Sequence, residues 1–167
     1  MMKRRNTLLG LGALVPVAAA VAGFRGLFTS EPAHAARVYA VSHTDAEWQT
    51  RLRPDQYKVL RRAGTEAPYS SALNKEMRTG VFNCAGCELP LFASSTKFES
   101  GTGWPSFWQP LDNAVLEESD TTLFMKRTEV LCGRCGGHLG HVFDDGPKPT
   151  GLRYCMNGVA LDFKAAA

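Results

Sequence analysis

Two Cys-x-x-Cys pairs, Cys84–Cys87 and Cys132–Cys135, restrict this chain more than any other feature. Each pair puts two sulfurs on one tight turn. Two such turns brought together offer four thiolates to one tetrahedral ion, which is what a structural zinc site requires. Between Cys87 and Cys132 lie 44 residues, more than a zinc ribbon needs, so a β-sheet has to be inserted there. Gly86 and Gly133, inside the turns, allow backbone amides to face the sulfurs. A redox disulfide is the alternative for either pair, but neither precedes a helix in a βαβ pattern. A mixed site drawing on His138 or His141 is another, though His-x-x-His is tighter than the common finger spacing. One closed, structural Zn(2+) per chain, held by Cys84, Cys87, Cys132 and Cys135, is the expectation.

The texture of the sequence agrees with a small domain built around such a site. Thr44-Asp45-Ala46-Glu47 has the form of a capping box, so a helix is predicted to begin near Asp45. Pro54 suits a first helical turn, and Gly64 marks a stop. From Gly80 onward, short runs rich in aromatic and β-branched residues alternate with glycine, proline and aspartate: 80–82, 89–92, 121–131, 141–143 and 158–163. The predicted class is α+β, mostly β, with helices confined to residues 44–64.

The N-terminus follows a different logic. Lys3, Arg4 and Arg5 precede an apolar run from Leu8 to Phe24, and Ala33-His34-Ala35 offers a small-x-small cleavage site. Residues 1–35 are therefore predicted to be a signal peptide, twin-arginine-like through Arg4-Arg5, followed by a linker over 36–43 and a domain over 44–165. The expected destination is export, to the periplasm by the twin-arginine route. An uncleaved leader anchoring the chain in the membrane is the alternative, since the run is near the lower limit for spanning. The net charge of +3 comes from this leader. Residues 36–167 carry 15 basic and 15 acidic side chains, a balance that argues against a nucleic-acid partner, which needs a basic surface.

The fifth cysteine, Cys155, has no partner left. It is either a small buried thiol or a nucleophile. On an extended strand Arg153, Cys155 and Asn157 share one face, and a guanidinium beside a sulfur favours the thiolate. Upstream, His138, His141, Asp144 and Asp145 supply imidazoles and carboxylates in a glycine-flanked segment. Each alone has a structural explanation; together they are the components of activated-cysteine chemistry. A zinc-bearing interaction module with a structural Cys155 is the competing function.

Ordered blocks now carry a resemblance. Gln56-Tyr57-x-Val59-Leu60-Arg61, Gly64-Thr65-Glu66, Lys97-Phe98-x-Ser100-Gly101, Gly103-Trp104-Pro105-Ser106-Phe107, Arg127-Thr128-Glu129-Val130, His138 to Pro147 and Gly151 to Asn157 resemble the B-type peptide methionine sulfoxide reductases from about Trp48 to Phe163. The resemblance implies two antiparallel β-sheets with short N-terminal helices, and 44–165 as a methionine-R-sulfoxide reductase domain. It implies Cys155 as the nucleophile that takes oxygen from methionine R-sulfoxide and becomes a sulfenic acid. His141 is expected to donate a proton, oriented by Asp145 and assisted by His138, with Arg153 keeping the sulfur ionised. Trp104 and Phe107 are expected at the substrate's methyl group, although that block suits a core equally well, and Asn157 at its polar end. Many members carry a second cysteine before the Gly-Trp-Pro-Ser-Phe block; Thr102 stands there instead. The implied partners are oxidised proteins or peptides carrying methionine R-sulfoxide, and an external thioredoxin-like or small-thiol reductant.

Overall fold

Thr44 opens the ordered fold as its neighbours dictate. Its Oγ1 accepts from the Glu47 N–H at 3.3 Å while the Glu47 carboxylate accepts from the Thr44 N–H at 2.7 Å, and helix α1 (Asp45–Arg51) follows. Pro54 forces Arg53 into extended backbone and starts a second helix, α2 (Pro54–Arg62). Ala63 takes the left-handed turn that ends it, and the Gly64 N–H closes onto the Lys58 carbonyl at 3.0 Å. These are details of a computed structural model that describes residues 37–121 and 126–167. The predicted signal peptide, with its Arg4-Arg5 pair, lies outside the described residues. Among those described, no helix is long and apolar enough to cross a membrane.

Among the described residues nine strands follow: β1 (Gly80–Cys84), β2 (Pro90–Ala93), β3 (Lys97–Phe98), β4 (Ser106–Phe107), β5 (Val115–Asp120), β6 (Arg127–Cys132), β7 (His138–Phe143), β8 (Arg153–Met156) and β9 (Leu161–Ala165). They form two antiparallel sheets, one in the order β2-β1-β9, the other β3-β4-β8-β7-β6-β5. The expected mostly-β class with two sheets and short helices is therefore the observed one. Strand β5 was not expected. Its sequence, Val-Leu-Glu-Glu-Ser-Asp, is charged because it forms the edge of the large sheet, where acids discourage further pairing.

Phe107 holds the sheets together. It stacks on Phe92 of β2 at 4.4 Å and meets Phe82 of β1 edge-on at 4.9 Å. Val130, Tyr154 and Met156 come from the same face of the large sheet, and Trp48, Val59 and Leu60 close the core from the helices. With one face of the large sheet so occupied, the period-2 alternation sends the intervening side chains to the other face.

Candidate active site and metal centre

The two cysteine turns are copies of one another. The Cys84 carbonyl accepts from the Glu88 N–H at 2.7 Å, and the Cys132 carbonyl from the Gly136 N–H at 2.9 Å. Glu88 and Gly136, each just past its pair, both adopt positive φ, so the left-handed residue follows the second cysteine rather than lying between the two. Arg134 and Arg61 tie the turns down through the Cys87 and Cys135 carbonyls, each at 3.1 Å. All four Sγ atoms lie within 4.8 Å of one another, with Cys84–Cys135 at 3.8 Å and Cys87–Cys132 at 3.5 Å. A tetrahedron with metal–sulfur bonds near ~2.3 Å has edges of about 3.8 Å, so the donors fit one four-coordinate ion. Hydrogen bonding among the sulfurs, to Cys132 first, pushes the Cys84 and Cys135 thiols up. Four thiolates this close need a cation to coexist. The site joins the end of β1 in one sheet to the β6–β7 turn in the other.

Cys155 lies elsewhere, on the solvent-side face of the large sheet. The register aligns Glu129 of β6, His141 of β7, Cys155 of β8 and Ser106 of β4 in one row across four strands. Directly opposite residues share a face, so the row assembles a carboxylate, an imidazole, a thiol and a hydroxyl. In the next row Asp120 opposes Arg127, and Phe143 opposes Arg153. A cavity of about 140 Å³ opens over them, lined by Thr65, Trp104, Arg127, Gly140, His141, Phe143, Cys155 and Asn157. A groove of about 570 Å³ that shares Thr65 is larger but is lined by neither cysteine nor histidine.

A β-bulge adjusts the imidazoles. Gly140 pairs with Val130 and His138 with Leu131, so β7 advances two residues while β6 advances one. His138 and His141, three apart, would face opposite ways on a regular strand; here their rings meet edge-on at 5.4 Å. His138 is buried, its Nδ1 held by Glu129 at 2.6 Å. His141 gives Nε2 to the Asp120 carboxylate at 2.9 Å. Burial draws the His141 pKa below the ordinary imidazole value, against the pull of Asp120. A neutral His141 that donates its Nε2 proton to Asp120 keeps Nδ1 as a base.

Several expected roles change hands. Asp145 does not orient His141. The turn after β7 carries it back beside β8, where it clamps Arg153 with two hydrogen bonds of 2.8 Å, and Asp120 takes its place. Arg153 lies over the Phe143 ring at 4.4 Å. Its charge and the Thr102 hydroxyl lower the Cys155 pKa, but burial is the largest effect and the net direction is up. Phe107 belongs to the interior and cannot line the pocket, because its strand neighbour Ser106 takes the site face. Trp104 does line it, its indole N–H donating to the Glu66 carbonyl at 3.2 Å. Asn157 also lines it, yet its amide is engaged by the backbone, accepting from the Glu66 N–H at 2.9 Å and donating to the Leu139 carbonyl at 3.1 Å. Glu66 completes that arrangement by accepting from the Gly158 and Val159 N–H groups.

Thr65, Asp120, Arg127 and Phe143 were not singled out as site residues from sequence. Only strand register brings Asp120 and Arg127 to Cys155. Thr65, Arg127 and Phe143 had a signal, their places in the Gly64-Thr65-Glu66, Arg127-Thr128-Glu129-Val130 and His138-to-Pro147 blocks.

An activated-cysteine oxidoreductase is the class these features define: a half-buried thiol opposite an imidazole–carboxylate pair, in a fold joined by four clustered cysteines able to hold a metal ion. The SelR domain model matches residues 52–165. Peptide methionine sulfoxide reductase MsrB of Leptospira interrogans is 51% identical over 127 residues, 75% of this chain and 97% of that protein. MsrB of Pseudomonas putida strain W619 is 55% identical over 125 residues, covering 74% and 94%. MsrB of Methanosarcina barkeri is 56% identical over 127 residues, covering 75% and 89%. The chain belongs to the MsrB family of peptide methionine sulfoxide reductases, which are oxidoreductases.

Proposed function

We propose that this protein reduces the R epimer of methionine sulfoxide, in oxidised proteins or peptides and as the free amino acid, through a sulfenic acid on Cys155. The observation that carries the reading is the alignment of Cys155 with His141 and its Asp120 partner beneath a cavity walled by Trp104 and Phe143. Trp104 and Phe143 offer apolar surface to the substrate's methyl group.

The resting pair is a thiol and a neutral imidazole. His141 Nδ1 takes the Cys155 proton, and the thiolate attacks the sulfoxide sulfur. The imidazolium returns that proton to the sulfoxide oxygen, which is a poor leaving group until protonated. Oxygen ends on Cys155 as S–OH and methionine departs as the thioether, so the substrate sulfur gains two electrons and the enzyme sulfur loses them. Arg153, held by Asp145, and Arg127, paired with Asp120, supply positive charge as the thiolate forms. Two equivalents of an external thiol then regenerate Cys155, releasing water and a disulfide.

No internal cysteine is placed to assist. Cys132 lies roughly 10 Å along β6 from the Cys155 row and two strand spacings across the sheet, beyond the Cα separation a disulfide tolerates. The four remaining sulfurs are read as ligands of one structural Zn(2+), with no position left for substrate. Metal analysis of the purified protein distinguishes zinc from iron. The leader is read as an export signal of the twin-arginine type; replacing Arg4 and Arg5 together by lysine is expected to retain the protein in the cytoplasm.

The deciding assay incubates the protein with the separate R and S epimers of a methionine sulfoxide peptide and dithiothreitol. Expected are turnover of the R epimer alone and, after a stoichiometric pulse without thiol, one added oxygen on Cys155. A protein that binds zinc but produces no methionine, with Cys155→Ser indistinguishable from it, is a binding module instead.

A further inference from the structure

On the side of Cys155 away from His141, the sulfur is met by hydroxyl groups. Thr102 Oγ1 lies 3.8 Å from Cys155 Sγ, Ser100 Oγ 2.8 Å from Thr102 Oγ1, and Ser106 Oγ 2.7 Å from Ser100 Oγ. The chain ends where the Ser106 hydroxyl donates to the Trp104 carbonyl at 3.1 Å. Ser106 is fully buried, and Ser100 and Thr102 are half-buried, so these hydroxyls depend on one another more than on water. Thr102 and Ser106 both favour the ionised sulfur over the neutral one.

Each hydroxyl has one proton, so the chain has a direction. With Cys155 protonated, S–H donates to Thr102, Thr102 to Ser100, Ser100 to Ser106 and Ser106 to the Trp104 carbonyl, and every donor is used. Once the thiol proton has left toward His141, the order reverses: Ser106 donates to Ser100, Ser100 to Thr102, and Thr102 to the thiolate. That final bond is charge-assisted and correspondingly strong. The reversal takes the donor away from the carbonyl of Trp104, a residue that walls the cavity.

We propose that Thr102 stabilises the Cys155 thiolate at the head of a reversible hydroxyl chain, and that Ser100 and Ser106 link that ionisation to the backbone at Trp104. Thr102 touches the reacting sulfur and is the catalytic member; Ser100 and Ser106 position it. The proposal rests on Cys155 being the nucleophile and adds a group that the His141 side does not supply. The charged and titratable groups around the sulfur are Arg153 on its own strand β8, clamped by Asp145, His141 and His138 of β7, Glu129 and Arg127 of β6, and Asp120 of β5. Glu66 is occupied by the Gly158 and Val159 N–H groups, and Glu99 turns to the Gly101 N–H at 2.8 Å.

Iodoacetamide alkylation of the metal-loaded full chain across pH, with the label located at Cys155 by mass spectrometry, tests this without substrate. Thr102→Val keeps the volume and removes the hydroxyl. It should raise the alkylation midpoint by about one pH unit, a roughly tenfold loss of thiolate at fixed lower pH, and Thr102→Ser should restore it. Ser100→Ala should move the midpoint the other way by a few tenths, because the Thr102 proton then has only sulfur to bond. An unmoved midpoint in Thr102→Val, or an unmoved or raised one in Ser100→Ala, overturns the chain. Since alkylation involves no turnover, either result stands apart from the methionine sulfoxide assay.

Discussion

Five sulfurs in one small fold separate into two environments, and the contrast shows how neighbours set a cysteine's chemistry. Around Cys84, Cys87, Cys132 and Cys135 the neighbours are other sulfurs and backbone amides, and the tetrahedron they form is closed. Around Cys155 they are an imidazole, two guanidiniums and a hydroxyl, beneath an open cavity. Both regions involve β6 and β7. The cysteine cluster takes Cys132 and Cys135 from the turn between these strands, and the thiol site uses side chains along their length. The turn can therefore staple the sheets without touching the reaction, and the strand faces can hold reactive groups without holding the fold together.

This separation predicts separable losses. Cys132→Ser should have the largest effect, abolishing metal binding and with it cooperative unfolding, since a structural zinc contributes on the order of 10 kcal/mol or more; metal content and thermal melting check it together. Cys155→Ser should reduce methionine production to the uncatalysed level while keeping the metal and changing stability by less than about 1 kcal/mol. If it lost metal as well, the two regions would not be independent. His141→Asn should slow single-turnover oxygen transfer about 10²–10⁴-fold, and Asp120→Asn less, about 10–100-fold, the range for carboxylates that orient metal-bound imidazoles.

Smaller effects sharpen the picture. Burial lowers the His141 pKa and raises that of Cys155, so kcat/KM should be level across neutral pH. It should fall on the acid side only below the ordinary imidazole value, as His141 gains a proton and ceases to be a base. On the alkaline side it should fall only above the ordinary thiol value, as Cys155 loses the proton that the sulfoxide oxygen needs. A rise centred between those limits would mean that the thiolate forms without His141. Phe107→Leu should cost about 1 kcal/mol of stability and leave KM unchanged, because that ring contacts Phe82 and Phe92 and no substrate.

Features written in contiguous residues were legible in the sequence. The Thr44 capping box, the Pro54 helix start and the two cysteine turns each depend on residues within a few positions. Cys155 stood out by its chemistry. The imidazole's carboxylate did not, because Asp145 is four residues from His141 in sequence while Asp120 meets it only through the register of β5, β6 and β7. The strand that carries Asp120 was hidden by its own charge, a requirement of its edge position. The pairing of His138 with His141 depends on one extra residue in β7, and period-2 reasoning cannot anticipate a bulge that the opposing strand defines. Phe107 failed for the opposite reason: its motif lies at the site, but the alternation that turns Ser106 toward the thiol turns the ring inward.

The metal clamp also has an arrow of time. Both of its halves precede Cys155 in the chain, and a ribosome delivers the N-terminal parts first. With a metal ion bound, a nascent chain would be able to close its tetrahedron while β8 and β9 are still in the exit tunnel, so the four clustered sulfurs would be claimed before the fifth arrives. The thiol proposed to meet methionine sulfoxide would then enter a frame with no sulfur free to bond with it.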